Sequence, residues 1–442
     1  MSGFTAGMLS FAILLALLAA RVPIGVAMLA VGSGGFIWIA GLLPYLSFLK
    51  TTPFETFASY TLSVIPLFLL MGNVAAGAGL SKRLFAGANA LVGHYRGGLA
   101  MAAVSACAAF GTICGSSLAT AATMGRVALP EMRKYGYAGG LATGCMAAGG
   151  TLGILVPPSV PLVIYAILTD QNIAKLFLAA FIPAGLALAG FCFAIRSYVA
   201  INPEAGPAAP KLPPSERVAA ILATWPVVVI FVIVFVGMNG DFFVGRSLFT
   251  PTEGAALGAF LALLAAVTVG GMRTSDIVLS VRATAEQTGM IFLILLGAEL
   301  YNAFLARTGM PQFAAHWVAN LGISPYLIMA VIVLIYILLG CLMDSLSMLL
   351  LTIPIFFPIV SGLDFGLTPE QTAIWFGILA LIVVELGLIH PPVGLNVYII
   401  HNIARDVSMM DTFKGVVPFL LAEFVRVSLI IAFPSITLAL IK

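Results

Sequence analysis

Apolar stretches long enough to cross a membrane follow one another from near residue 4 to the end of this 442-residue chain. A helix needs about 20 mostly apolar residues to span the hydrocarbon core of a bilayer. Only 8% of the residues are charged, whereas an ordinary globular domain carries about 25%. A water-facing surface cannot be built from this composition, so the sequence predicts an all-α protein that crosses the membrane many times.

The first apolar stretch, residues 8–20, has the length of a signal-peptide core. No basic segment precedes it, and residues 21–23 lead directly into a second apolar run. This is not the pattern of a cleaved signal. We therefore expect it to be a retained helix.

One long polar stretch, residues 201–217, contains five prolines together with Lys211 and Arg217. Prolines in this number break regular structure, and basic residues favour the cytoplasmic side of a membrane. We predict a cytoplasmic linker. The net charge of +3 is small and spread along the chain, which argues against nucleic acid as a partner.

The segments on either side of this linker have a common pattern, which predicts an internal repeat. Segments 153–158 and 387–392 share the spacing Gly-x-x-x-Pro-Pro, and each follows a segment rich in small and polar residues, at 114–120 and 342–347. We read the polar segments as the tips of helical hairpins. We read the Pro-Pro segments as breaks in membrane helices.

These anchors predict two inverted repeats, each with an interfacial helix, a hairpin and a broken helix. A connecting stretch is expected near residues 50–57, and the interfacial helices at 81–96 and 272–286. The predicted domains are N-terminal scaffold helices (1–50), repeat 1 with its break at 153–158 (51–199), linker and connecting helix (200–249), and repeat 2 with its break at 387–392 (250–442).

The Pro-Pro segments carry the first functional signal. Proline lacks an N–H, so a Pro-Pro inside an apolar helix leaves carbonyls without partners, and lipid supplies none. In secondary transporters such carbonyls bind Na⁺ or substrate near the membrane midplane. A single proline more often only kinks a helix, but the duplicated motif favours transport. Hydroxyls and carbonyls at the hairpin tips suit a hard cation, although small residues also serve helix packing.

Several ionisable residues fall in apolar surroundings, where charge is costly unless it is functional or paired. They are Glu299, Asp344, Glu385, Glu423 and Arg426. Glu423 and Arg426 are three apart on one helix, so we expect them to neutralise each other. Asp344 and Glu385 adjoin the motifs and have the stronger functional claim. The chain has none of the common phosphate-loop, zinc-hydrolase or serine-hydrolase motifs, so we predict that it is not an enzyme.

At segments 114–125, 153–161, 249–253 and 391–396 the sequence resembles the large membrane subunit of tripartite ATP-independent periplasmic (TRAP) transporters, of the dicarboxylate or sialic acid type. The resemblance extends over nearly the whole chain. It implies an elevator-type carrier of the ion transporter superfamily. In such a carrier a transport domain made of both hairpins and both broken helices slides against a scaffold.

The resemblance also implies co-transport of Na⁺, without an organic cofactor, at sites where hairpin tips meet broken helices. By motif position, the first sodium site would use Ser116, Ser117, Thr120, Gly153, Val156 and Pro157. The second would use Gly340, Asp344, Ser345, Gly387, His390 and Val393. His390 departs from the family, which usually has a small or hydroxylated residue there, but a carbonyl ligand would be unaffected.

The family further implies a small membrane subunit, an extracytoplasmic solute-binding protein and a carboxylate substrate such as a dicarboxylate or sialic acid. Ser159, Asn396 and Arg126 are the candidate substrate contacts. The predicted location is the bacterial inner membrane.

Three other readings share part of this pattern. A self-sufficient sodium-driven anion carrier would have the same repeat without a binding protein, and a channel or membrane scaffold would use the broken helices to line a pore or to pack. A membrane enzyme would need a nucleophile or metal cluster beside Asp344 and Glu385, and the sequence offers neither.

Overall fold

The structure is a computed structural model that describes residues 3–243, 245 and 247–441. Every regular element within these residues is helical, as the composition predicts. The first part of the chain forms α1 (Gly3–Ala19), α2 (Ile24–Ala40), α3 (Leu42–Phe57), α4 (Val64–Gly77) and α5 (Leu80–Val92), with a 3₁₀ turn at Thr61–Ser63.

The first hairpin and first broken helix follow. They comprise α6 (Gly98–Cys114), α7 (Ser117–Lys134), α8 (Gly139–Leu155) and α9 (Val160–Thr169). The long helix α10 (Ile173–Ile201) then leads to the polar linker, which contains a 3₁₀ turn at Pro203–Ala205 and ends at α11 (Pro214–Leu222). After it come α12 (Trp225–Met238), α13 (Gly240–Phe243) and α14 (Pro251–Thr268).

The rest of the chain repeats the order of hairpin and broken helix. It begins with α15 (Thr274–Thr308) and α16 (Met310–Ala319). The second hairpin is α17 (Pro325–Gly340) with α18 (Ser345–Ser361), and the second broken helix is α19 (Pro369–Gly387) with α20 (Leu395–Ile403). The chain closes with α21 (Met409–Ala432) and α22 (Ser435–Leu438).

Within the described residues, α10, α14, α15, α19 and α21 each have the length and apolar composition to cross a membrane alone. Three bent pairs reach that length together, among them α8 with α9, which meet at 45°. A multi-pass arrangement follows from these lengths.

Two sequence expectations differ from the structure. Residues 50–57 were expected to connect helices, but they form the end of α3 even though Pro53 lies within it. Residues 272–286 were expected to form a separate interfacial helix, but from Thr274 they are the start of the 35-residue helix α15. No proline interrupts α15, so nothing in its sequence forces a break between its polar and apolar parts.

Side-chain caps fix where several helices begin. Asn172 accepts hydrogen bonds from the first amides of α10, and Thr368 caps α19 in a capping box with Gln371. Thr250 and Glu253 form the same reciprocal pair at α14. Caps of this kind satisfy amides that a helix leaves unpaired at its first turn.

The two halves of the chain interlock. Both arms of the first hairpin pack on α8, and both arms of the second pack on α19. The second half of each broken helix packs on the other half of the chain, because α9 contacts α18 and α19 while α20 contacts α7 and α8. A second group of helices packs mainly on itself, chiefly α2 against α15 and α4 against α14 and α15. The assignment of these groups to domains and to inverted repeats stays a prediction.

Candidate ion and substrate site

The tip of the first hairpin is a two-residue turn between α6 and α7. Gly115 takes the left-handed conformation with φ of +60°, which glycine adopts without steric cost. Ser116 caps α7, since its Oγ accepts a hydrogen bond from the amide of Ala119 at 3.4 Å. The tip is therefore tight, and it presents backbone and hydroxyl groups.

The break in the first broken helix lies against this tip. Because Pro157 and Pro158 have no N–H, the carbonyls of Gly153 and Ile154 lose the partners they would have in a continuous helix. Gly153 is pressed against Thr120, since a Cβ added to Gly153 would lie 2.3 Å from Thr120 Oγ1. Unpaired carbonyls and a hydroxyl thus meet where α8 ends.

Two hydroxyls beside this break are buried and make no well-formed hydrogen bond among the described residues, although the thiol of Cys114 lies close to the hydroxyl of Thr120. They are Thr120 Oγ1 and Ser159 Oγ, and both side chains are fully buried. A buried hydroxyl without a partner costs about 1–3 kcal/mol. Oxygen atoms that are left free in this way are what a bound Na⁺ would use.

The second tip is longer, with residues 341–344 between α17 and α18, and its chemistry differs. Asp344 caps α18 by accepting hydrogen bonds from the amide of Ser347 at 3.2 Å and from its hydroxyl. Gly340 approaches Gly387 so closely that a Cβ on Gly387 would lie 2.6 Å from the Cα of Gly340. Because it accepts both bonds from Ser347, the carboxylate of Asp344 is already engaged at the start of α18.

The second break is more open than the first. Pro391 and Pro392 are exposed, whereas the first Pro-Pro is buried, and Val393 is half-buried just beyond them. His390 turns its ring back, with Nδ1 beside the carbonyl of Pro391. The thiol of Cys341 lies 3.6 Å from the carbonyl oxygen of His390, so that carbonyl faces α17.

Glu385 joins the two hairpins. One of its oxygens, Oε1, accepts hydrogen bonds from Ser117 Oγ at 3.0 Å and from Ser345 Oγ at 2.6 Å. Its other oxygen, Oε2, is buried without a partner among the described residues. The sequence marked Glu385 as a charge at membrane depth that adjoins the second Pro-Pro motif and therefore has a functional claim. Nothing in local spacing indicated its two partners, which come from different repeats.

Glu423 and Arg426 form the buried ion pair that their spacing predicts. Arg426 also donates to the carbonyl of Pro183 at 3.1 Å, which ties α21 to α10. Glu299, by contrast, is exposed and lines a cavity of about 270 Å³ that also contains Glu55. Its position in an apolar stretch therefore did not indicate burial.

The three candidate substrate contacts differ in their surroundings. Asn396 is buried and donates from Nδ2 to the carbonyl of Ala147 at 3.2 Å, while its Oδ1 has no partner in the described part of the chain. Ser159 lies in the first break. Arg126 is exposed on α7. Asn396 thus links the second broken helix to the first, and Arg126 stands apart.

The structure brings together part of each predicted sodium site. In the first site, the tip residues face the break at Gly153, but Ser117 is directed to Glu385. In the second site, Gly340 and Gly387 touch, while Asp344 and Ser345 are engaged with Ser347 and Glu385. The assignment of either cluster to Na⁺ stays a prediction.

Comparison with known proteins gives a consistent result. The family model described as the DctM component of tripartite ATP-independent periplasmic transporters matches residues 11–436. The chain is 36% identical over 389 residues to the C4-dicarboxylate TRAP transporter large permease protein DctM of Pseudomonas aeruginosa, covering 88% of this chain and 87% of that protein. It is 31% identical over 383 residues to the sialic acid TRAP transporter large permease protein SiaM of Vibrio cholerae, covering 86% of each.

Solved structures agree on the fold. The Alcanivorax borkumensis YdaH transporter superposes with a TM-score of 0.61 over 88% of each chain at 14% identity. MtrF of Neisseria gonorrhoeae gives a TM-score of 0.53 over 89% of this chain and 85% of that one, at 13% identity. At such identities the likeness concerns the fold alone.

Proposed function

Because this chain belongs to the DctM component family of tripartite ATP-independent periplasmic transporters, we propose that it imports a small organic acid across the bacterial inner membrane together with Na⁺. It is the large, multi-pass permease subunit rather than an enzyme. Its relatives are named for C4-dicarboxylates and for sialic acid, so we propose a carboxylate substrate.

One observation carries the sodium part of the proposal. Thr120 Oγ1 and Ser159 Oγ are buried and make no well-formed hydrogen bond in the part of the chain that the structure describes, beside carbonyls that Pro157 and Pro158 leave free. A monovalent cation bound by these oxygens would offset the cost of leaving them unpaired. The second cluster is less well equipped, since the Asp344 carboxylate is engaged in capping α18. The carbonyl of Gly387 likewise accepts from the amide of His390 at 3.2 Å.

We propose that the moving unit is the interlocked set of hairpins and broken helices. Its parts pack on one another across the two repeats, which favours movement as one body. The outer group around α2, α4, α14 and α15 would serve as the stationary scaffold. Family membership supports two partners, a small membrane subunit beside that scaffold and an extracytoplasmic binding protein that delivers the substrate.

Reconstitution tests this function and separates its alternatives. Proteoliposomes holding this chain and its small subunit, supplied with the binding protein, should take up labelled C4-dicarboxylate or sialic acid saturably and only with an inward Na⁺ gradient. Uptake by this chain alone would instead identify a self-sufficient carrier. Flux that does not saturate would identify a channel, and absence of flux for every organic acid tried would contradict the proposal.

We predict that Thr120→Val raises the half-saturating Na⁺ concentration of uptake about tenfold, equivalent to about 1.4 kcal/mol. Valine keeps the shape and removes the hydroxyl that a cation would use. Stability should hold or rise, because the lost hydroxyl had no partner in the described structure. Sodium titrations of uptake and thermal unfolding provide the two measurements.

Thr143→Val is the matched control for this change. Thr143 is also buried, but its Oγ1 bonds to the carbonyl of Gly139 at 2.8 Å, so its loss should leave the sodium titration unchanged. An unaltered titration in Thr120→Val as well would remove Thr120 from the proposed site.

A further inference from the structure

Glu385 is the point at which the two hairpin tips share one acceptor. Ser117 and Ser345 are the first residues of α7 and α18, and both donate to the same oxygen, Glu385 Oε1. All three side chains are buried. A shift of either serine therefore changes the position or the hydrogen bonding of the carboxylate, which the other serine also contacts.

Only the second Pro-Pro segment has a carboxyl group at the position that connects the hairpin tips. Glu385 lies two residues before Gly387, and the residue two before Gly153 is Thr151. Thr151 donates back to the carbonyl of Ala148 in its own helix at 2.6 Å, and its side chain bonds to no other described residue. The site therefore has a single bridging carboxylate in place of two equivalent ones.

The surroundings of Glu385 favour such a bridge. Helices α7 and α18 both begin at the serines that donate to it, and a helix N-terminus carries a partial positive charge of about one half. Hydrogen bonds to a carboxylate are about twice as strong as neutral ones. Glu423 and Arg426 both act electrostatically on Glu385, but they are paired with each other, so their opposite charges largely offset at that carboxyl group.

We propose that Glu385 couples the two sodium sites, so that Na⁺ binding at one hairpin tip favours binding at the other. This inference rests on the proposed function. The hydroxyls of Ser117 and Ser345 donate to Glu385 and still have oxygen lone pairs for a cation. A cation that contacts either oxygen polarises the O–H group, which strengthens its hydrogen bond to Glu385. Glu385 is then held in one position, and it keeps the serine of the opposite tip in the position that binds Na⁺. Such coupling is reciprocal between the sites.

The test is equilibrium binding of radioactive Na⁺ to the purified complex of this chain with its small subunit. Wild-type binding should have a Hill coefficient above one. In Glu385→Gln the shared carboxyl group is lost, so the Hill coefficient should fall to about one and the half-saturating concentration should rise about 5- to 20-fold. Glu385→Asp, which keeps a carboxyl group on a shorter side chain, should retain part of the cooperativity.

Glu286→Gln is the matched control, because Glu286 is exposed and paired with Arg282 on the surface. It should bind Na⁺ as wild type does. If Glu385→Gln does not fold, Ser117→Ala and Ser345→Ala provide a second route. Coupling through Glu385 predicts that the double variant differs by about fivefold or more from the product of the single effects on half-saturation.

The outcomes separate the inference from the proposed function. If the wild-type complex binds no Na⁺, sodium coupling fails and this inference fails with it. If wild type binds with a Hill coefficient of one, or if Glu385→Gln keeps the wild-type curve, or if the two serine effects multiply, only the inference is overturned.

Discussion

Replacement of Gly153 by alanine is expected to abolish ion-coupled uptake, with at least about a 100-fold loss of initial rate, or about 2.7 kcal/mol. The new Cβ would lie 2.3 Å from Oγ1 and 2.6 Å from Cβ of Thr120. Rotation about χ1 of Thr120 moves Oγ1 but not Cβ, so it cannot relieve the second contact. On the other side, a Cβ on Gly111 would already be 2.7 Å from the Cα of Gly153.

With no room on either side, Gly153→Ala must push the hairpin tip away from the broken helix by roughly an ångström. Binding sites lose function when their groups move more than about 0.5 Å, and overpacking costs about 1–3 kcal/mol of stability. Uptake in proteoliposomes, corrected for the amount of folded protein, measures the effect.

Gly289→Ala is the control for this substitution. Gly289 also lies inside a membrane helix, but nothing stands within 4 Å of its added Cβ, so full uptake is expected. If Gly153→Ala retains Na⁺-dependent uptake near the wild-type rate, the tip and the broken helix do not need their close contact, and the first site is placed wrongly.

The second large effect is expected from Arg426→Met, which should lower the free energy of unfolding by about 3–5 kcal/mol. The change leaves Glu423, which is 2% exposed, as a buried charge without its partner. It also removes the donor to the carbonyl of Pro183. Thermal unfolding of the purified protein and its yield from membranes measure the loss.

Two further variants decide whether charge is the cause. The double variant Glu423→Leu with Arg426→Met removes both charges and should regain most of the stability, since apolar replacement of a whole buried pair is often neutral. Lys175→Met breaks a pair with Glu370 whose side chains are 35% and 51% exposed and should cost at most about 1 kcal/mol. If the double variant is no more stable than Arg426→Met, packing rather than charge explains the effect.

Local signals in the sequence predicted the helical class, the hairpin tips and the helix breaks. A Pro-Pro inside an apolar run removes helix donors wherever the chain folds, so the breaks at 157–158 and 391–392 needed no tertiary information. The pairing of Glu423 with Arg426 was predictable for the same reason, since residues three apart share a helix face.

Contacts between the repeats were not predictable. Ser117 and Glu385 are 268 positions apart, and no spacing rule connects a hairpin tip to a particular carboxylate. The role of Asp344 was not predictable either. A charge in an apolar stretch suggests an ion ligand, whereas the observed partners of Asp344 are the amide and the hydroxyl of Ser347. Exposure of Glu299 depends on which helix covers it, and that is decided by packing.

The crossing of α9 and α20 between the repeats has a consequence for how the chain is made. Helix α9 packs on α18 and α19, which leave the ribosome only after α10 to α17 have been synthesised, an interval on the order of ten seconds. During that time α9 lacks the helices on which it later packs. The nascent first half therefore exposes this face of α9 until the second half has been translated, and we expect the first half made alone to be less stable than the same residues within the whole chain.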